Sequence, residues 1–106
     1  MTNKKLEERV VIGIFWEESE RDWGTSPDGM SLHKTMYDYE QYVNDYWARQ
    51  PERVPDCYSR PVIAGNIFKA NVTKELYKAI EKSENSIRLY NGTTNKLLDK
   101  KEIMIK

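Results

Sequence analysis

The sequence predicts an α+β fold, with two helices packed on a mixed, mainly antiparallel sheet of about four strands in the order β-α-β-α-β-β. Two runs of β-branched and aromatic residues show the period of two that is typical of strands. Residues 36–49 show the 3-4 spacing of an amphipathic helix. With 106 residues, the chain is expected to form a single domain over 1–106.

The first predicted element is an interior strand. Residues 10–16, VVIGIFW, are apolar on both faces when read with a period of two, which is typical of a strand covered on both sides. Residues 17–31 carry many charges, two glycines and a Ser-Pro dipeptide, so they are predicted to form a long loop. Loops of this length in small domains tend to be functional or mobile.

The first helix is predicted from Met36 to about Arg49. Thr35 and Asp38 have the spacing of a capping box, and Pro51 would end the helix because a residue before proline avoids the helical region. The side chains expected to face the core are Met36, Tyr39, Val43, Tyr46 and Trp47.

The second half of the chain alternates short elements. Prolines at 51, 55 and 61 predict an extended, stiff connector over 51–65. The elements predicted after it are a strand over Asn66–Val72, a helix over Lys74–Ser83, a strand over Ser86–Tyr90, a turn at Asn91-Gly92 and a final strand within 101–106.

Composition limits the class of protein. The net charge is zero, which argues against a general nucleic-acid binder held by phosphate contacts. Carboxylates are concentrated in residues 17–45, which can form an acidic face or can be cancelled by basic residues that the fold brings near. The chain contains one cysteine and no apolar run long enough to cross a membrane, so we expect a cytoplasmic protein.

Signatures of catalysis and of cofactors are weak. His33 and Cys57 together suggest a thiol nucleophile with its base, but two such residues also occur by chance. The acidic residues of 17–28 do not have the alternation of a calcium loop, and zinc would need more His or Cys ligands. We therefore predict a protein that is not an enzyme and uses no metal or other cofactor.

The aromatic residues of the first helix form the main candidate site. One helical stripe cannot bury all of the tyrosines in 37–46. Tyr37 projects with Gln41, Asn44 and Ala48, and Tyr42 lies on a flank near Asp38 and Asp45. Such tyrosines can cover a small core with their hydroxyl groups in water. They can equally form a protein-binding surface, because tyrosine is enriched at interface hot spots.

The connector supplies a second candidate. Arg53 and Arg60 flank Tyr58, an arrangement suited to a carboxylate, a phosphate or a nucleobase. In the alternative interpretation, Val54 and Tyr58 pack on the core and Asp56 pairs with an arginine. Of these residues, we select Tyr58 and Arg60 as predicted binding residues.

The stretch SLHKTMYDYEQYVNDYWARQPERVPDCYSRP, residues 31–61, resembles a group of small bacteriophage-encoded proteins with SLH, an acidic helix ending in YW, and P-x-x-VPD-x-YSRP. The resemblance implies a phage origin, and small phage proteins commonly block host defence by binding. We therefore expect a non-enzymatic, anti-CRISPR-like inhibitor whose acidic and aromatic surface occupies a host protein or ribonucleoprotein complex. The alternative is an oligomeric small-ligand binder that sequesters a nucleotide signal.

Overall fold

A computed structural model describes residues 9–20, 24–50, 57–61 and 67–106. These residues form three helices and six strands. In chain order the elements are β1 (Val10–Glu20), β2 (Gly24–His33), α1 (Met36–Ala48), β3 (Cys57–Pro61), β4 (Ile67–Val72), α2 (Lys74–Lys82), β5 (Ser86–Leu89), α3 (Asn91–Asp99) and β6 (Ile103–Ile105). The principal extents of 55 × 26 × 24 Å describe an elongated molecule.

The six strands form one sheet with the order β5-β2-β1-β4-β6, and β3 pairs with the far end of β1. All of these pairings are antiparallel. The α+β class is therefore right. The prediction of two helices on a mixed sheet of about four strands is wrong, since the described residues add a helix and two strands and contain no parallel pair.

The largest error concerns residues 17–31, which were predicted to be a loop. Of these, residues 17–20 continue the predicted first strand and residues 24–31 pair back on it, so that the described parts of β1 and β2 form a long antiparallel hairpin. β1 is also paired on its other side, with β4 near its start and β3 near its end. Backbone pairing on both sides holds residues 17–20 extended, and pairing with β1 holds residues 24–27, despite their loop-like composition.

The second error lies at Asn91-Gly92, predicted to be a hairpin turn. Here Asn91 begins α3, with the extended residue Tyr90 as its N-cap. The Thr94 hydroxyl donates to the Leu89 carbonyl across this junction at 3.2 Å and is buried. The helix also lengthens the connection between β5 and β6, so the final strand pairs with β4 rather than with its neighbour in sequence.

Two cores lie on opposite faces of the sheet. On one face α2 and α3 cover β-strand residues such as Val11, Met30 and Leu32. On the other face α1 places Tyr39 and Val43 against Ile14 and Trp16. Of the side chains predicted to face inward on α1, Met36 and Trp47 are instead exposed, because this helix packs through a narrower stripe than its apolar residues suggested.

Candidate functional site

Helix α1 is held in place by its first turn and its buried stripe. The Thr35 hydroxyl accepts from the Asp38 backbone N–H at 3.2 Å, and an Asp38 carboxylate oxygen accepts from the Thr35 N–H at 3.1 Å. This is the predicted capping box, which satisfies two of the free donors of the helix start. It also fixes the position of the Asp38 carboxylate at one end of a groove.

That groove, here called the α1 groove, lies between α1 and the turn from α2 to β5. Its volume is about 460 Å³. One wall consists of α1 side chains, and the opposite wall of residues around the turn. The residues that line it are Asp38, Gln41, Tyr42, Asp45, Ala48, Arg49, Ser83, Glu84 and Ser86. Three of the predicted binding residues, Tyr42, Asp38 and Asp45, are therefore brought together.

Tyr42 forms the aromatic part of the α1 groove. Its ring lies edge-on to Trp16 with centroids 6.3 Å apart, and 5.2 Å from the His33 ring. Burial raises the pKa of the Tyr42 phenol, although the nearby Arg88 opposes this shift. The ring is thus anchored in the core while one side is available to the groove. Tyr37, with 67% of its surface exposed, lies on the same helix.

The charge of the α1 groove is negative. Asp38, Asp45 and Glu84 contribute three carboxylates against the single guanidinium of Arg49. Glu84 lies in the second half of the chain, residues 51–106, where basic residues outnumber acidic ones. The distribution of charge along the sequence therefore did not predict its position in the α1 groove. Conversely, Glu17 lies on the sheet face opposite α1, among the residues next to α3. The carboxylates of 17–45 are therefore divided between the two faces.

A chain of buried polar groups supports the floor of the α1 groove. The Trp16 indole N–H donates to Ser31 Oγ at 2.8 Å, and Ser31 Oγ lies 2.8 Å from His33 Nε2. On the other side of the ring, His33 Nδ1 lies 2.8 Å from Ser86 Oγ. Ser31 Oγ accepts the hydrogen bond from the indole N–H, so the Ser31 hydroxyl can donate its own hydrogen to His33 Nε2. The neutral imidazole then carries its proton on Nδ1 and donates it in a hydrogen bond to Ser86 Oγ.

Burial determines the protonation state of His33. The side chain is 0% exposed. Burial lowers the pKa of His33 from 6.5 to about 4, and the Asp38 carboxylate only partly opposes this. The histidine is therefore neutral at pH 7 and serves as a hydrogen-bonded part of the core.

The pH dependence of stability should report this buried histidine, the only one in the chain. The unfolded chain binds a proton at His33 near pH 6.5, whereas the folded protein does so only near pH 4. The free energy of unfolding is therefore fully retained above pH 6.5 and should fall by about 2 kcal/mol between pH 7.5 and pH 5. Urea unfolding across this range measures the slope.

The control is His33→Gln, which keeps hydrogen-bonding groups but cannot titrate. Its unfolding free energy should change by about 2 kcal/mol less over the same pH range. Equal slopes in the two proteins, or an imidazole pKa near 6.5 measured by NMR, would contradict the buried neutral state.

Arg88 forms a second anchor beside Tyr42. Its guanidinium lies between two rings, 4.5 Å from the Trp16 centroid and 4.3 Å from that of Tyr90. It donates to an Asp28 carboxylate oxygen at 2.9 Å and to the Leu89 carbonyl at 2.7 Å. The Ser59 hydroxyl donates to the same Asp28 oxygen. Sequence reasoning missed this cluster because it joins residues that are 60 positions apart.

The connector residues lie elsewhere. The Arg60 guanidinium donates from Nε to a Glu17 carboxylate oxygen at 2.7 Å, and Glu17 belongs to the sheet face opposite α1. Tyr58 pairs with Ser19 through the backbone of β3, and the prediction for its side chain lies outside the described structure, as does Arg53. The structure therefore does not bring Arg60 to the α1 groove.

The strand register also separates the two residues of the thiol hypothesis. His33 stands opposite Ile12 near the start of β1, and Cys57 stands opposite Glu20 at its end. Eight residues of strand correspond to about 26 Å at roughly 3.3 Å per residue. Direct proton transfer from Cys57 to His33 is not possible over this distance.

Comparison with known proteins finds no match among protein-family models, curated proteins or solved structures. Within residues 9–20, 24–50, 57–61 and 67–106, no group of three or more His, Cys, Asp or Glu side chains is placed to hold a metal ion. Among the same residues, no helix has the length and apolar character that a membrane span requires.

Proposed function

We propose that this protein acts by binding a basic surface of another protein in the α1 groove, without catalysing a reaction. The observation that carries the proposal is the composition of that groove: Asp38, Asp45 and Glu84 surround the anchored ring of Tyr42. An arginine or lysine side chain of a partner would find carboxylates for ion pairs and a ring face for a cation–π contact.

Tyr37 extends the same surface. It lies in the first turn of α1, one residue before Asp38, and is largely exposed. Exposed tyrosines next to a groove match the composition of binding hot spots, where large rings contribute most of the affinity. Because the helix is fixed by its cap and by the buried Tyr39, the surface is formed before a partner arrives and loses little entropy on binding.

The partner we propose is a basic, nucleic-acid-binding region of a bacterial host complex. The resemblance of residues 31–61 to small phage proteins supports a host defence complex, including a CRISPR-type ribonucleoprotein, as the target. Carboxylates arranged in a groove can occupy a site that otherwise contacts phosphate groups. Complementary charge would make association fast and sensitive to salt.

Charge reversal in the α1 groove tests this proposal. We expect Asp45→Arg/Glu84→Arg to reduce capture of a specific partner from bacterial host lysate by at least about tenfold, because like charges would then meet across the interface. Both positions are exposed, so the fold should be retained. Quantitative mass spectrometry of the captured proteins gives the readout, followed by affinity measurements at two salt concentrations.

The matched control is Glu75→Arg/Asp99→Arg, which reverses two exposed carboxylates on α2 and α3. It has the same net charge as the groove variant and should capture the partner as the unaltered protein does. Tyr37→Ala should also weaken capture, whereas Tyr42 is unsuitable for truncation because its ring packs on Trp16 and His33. Identical captured proteins for both charge variants would refute the proposal.

A further inference from the structure

We propose that a second site, on the sheet face opposite α1, binds a flat, uncharged heteroaromatic ring of the nucleobase type. The site is a cavity of about 450 Å³ between the β1–β2 hairpin and α3, here called the α3 cavity. Its volume falls within the range of about 300–1,000 Å³ that is usual for small-molecule sites. It shares no lining residue with the α1 groove.

Phe15 provides the stacking surface of the α3 cavity. Its ring packs against Phe68 with centroids 4.9 Å apart, yet 40% of the residue remains exposed. Pro27 and Leu98 add apolar walls from β2 and α3. A planar ring inserted between these walls would cover the exposed part of Phe15, and stacking of bases on aromatic side chains is favourable for any nucleobase.

Helix α3 places amides at the edge of the same cavity. Asn91, Asn95 and Leu98 lie three or four residues apart and so share one face of the helix, which lines the cavity. The Asn91 amide donates to the Pro27 carbonyl at 2.7 Å, which fixes the helix start against the hairpin. Asn95 is exposed and carries both a donor and an acceptor, the pair of groups that an asparagine offers to a base edge.

The charge of the lining distinguishes a nucleoside from a nucleotide. Glu17 lines the α3 cavity, and one of its carboxylate oxygens is held by Arg60. Among the described residues that line the cavity, none is basic. The described lining offers no cation to pair with a phosphate group, so it favours an uncharged base with its ribose.

Titration with adenosine, guanosine, cytidine and uridine, each with its 5′-monophosphate, tests the proposal. We expect at least one nucleoside to shift the NMR signals of residues around the α3 cavity, and its monophosphate to bind at least about fivefold more weakly, because of charge repulsion. Failure of all four nucleosides to bind, or tighter binding of the monophosphate, would overturn the proposal.

Two tryptophan variants locate the binding. Thr25 is exposed on β2 and lines the cavity, so Thr25→Trp should fill the space and weaken nucleoside binding at least tenfold. Thr93 is exposed on α3 but does not line the cavity, so Thr93→Trp should bind as the unaltered protein does. Undiminished binding in Thr25→Trp would overturn the assignment. Partner capture by the α1 groove should be unchanged in both variants, which separates this test from that of the proposed function.

Discussion

Replacing Gly29 by alanine should lower the free energy of unfolding by about 4 kcal/mol, since two costs of about 1–3 kcal/mol each add at this position. Gly29 has a φ of +79°, which L side chains rarely adopt. A Cβ there would lie 2.0 Å from the Leu89 carbonyl oxygen, which belongs to the backbone of β5 and cannot rotate away. For a domain stabilised by roughly 5–15 kcal/mol, this loss is large.

The conformation of Gly29 follows from the register of the hairpin. Phe15 pairs with Met30 and Glu17 with Pro27, so Asp28 and Gly29 together stand opposite Trp16. This is a β-bulge, in which a glycine with positive φ accommodates the extra residue. The bulge keeps Met30 facing one core while Asp28 reaches Arg88 on the opposite face. A side chain at Gly29 would push β5 away from β2.

Gly24→Ala is the matched control. Gly24 has a similar φ of +84°, but a Cβ there would have no atom within 4 Å. Its replacement should therefore cost only the backbone strain, about 1–2 kcal/mol. Urea unfolding of both variants measures the difference. If Gly29→Ala were no less stable than Gly24→Ala, β5 would have to move freely, and the close approach at Leu89 would not constrain the sheet.

The parts of the fold that sequence predicted correctly are those in which local signals agree. Helix α1 carries the predicted capping box and a buried stripe, and α2, predicted over Lys74–Ser83, follows its N-cap Thr73 with Leu76 and Ile80 buried. Strand β4 alternates between buried and accessible side chains as its period predicted. In these segments the local signals indicate the same element as the tertiary packing requires, so the local preference of the chain is retained in the fold.

The errors arose where tertiary pairing overrides composition. The second strand reads GTSPDGMSLH, and its first half carries the signals of a turn. It is extended because β1 offers a pairing edge, and a strand edge accepts any backbone that has free N–H and C=O groups. At Asn91-Gly92 the chain starts a helix instead of the predicted turn. The helix is favoured because it packs the buried Thr94 and the half-buried Leu97 and Leu98 against the core.

The candidate site was predictable only on the side formed by α1. Tyr42, Asp38 and Asp45 share one flank of a helix, so their proximity follows from spacing. Glu84 completes the α1 groove. It follows α2 with a φ of +60°, and no local sequence pattern links it to α1. Contacts between residues this far apart in sequence depend on the strand order, which the sequence did not reveal.

Arg88 is the clearest case of such a long-range contact. After Gly29→Ala, its replacement should cause the second large loss in the free energy of unfolding. Arg88→Met keeps an apolar stem between the rings of Trp16 and Tyr90 but removes the partner of the Asp28 carboxylate. The two side chains are only 11% and 19% exposed. Breaking a buried ion pair on one side costs about 3–5 kcal/mol, because the remaining charge stays desolvated. Urea unfolding of the variant measures this cost.

Two further variants decide whether the buried charge causes this loss. Lys34→Met breaks the pair of Lys34 with Glu81, whose side chains are 35% and 41% exposed, and should cost far less stability because solvent screens this pair. Adding Asp28→Asn to Arg88→Met should restore part of the stability, since it removes the unpaired charge while leaving an acceptor for Ser59. If Arg88→Met cost no more than Lys34→Met, the pair would not hold β2, β3 and β5 together.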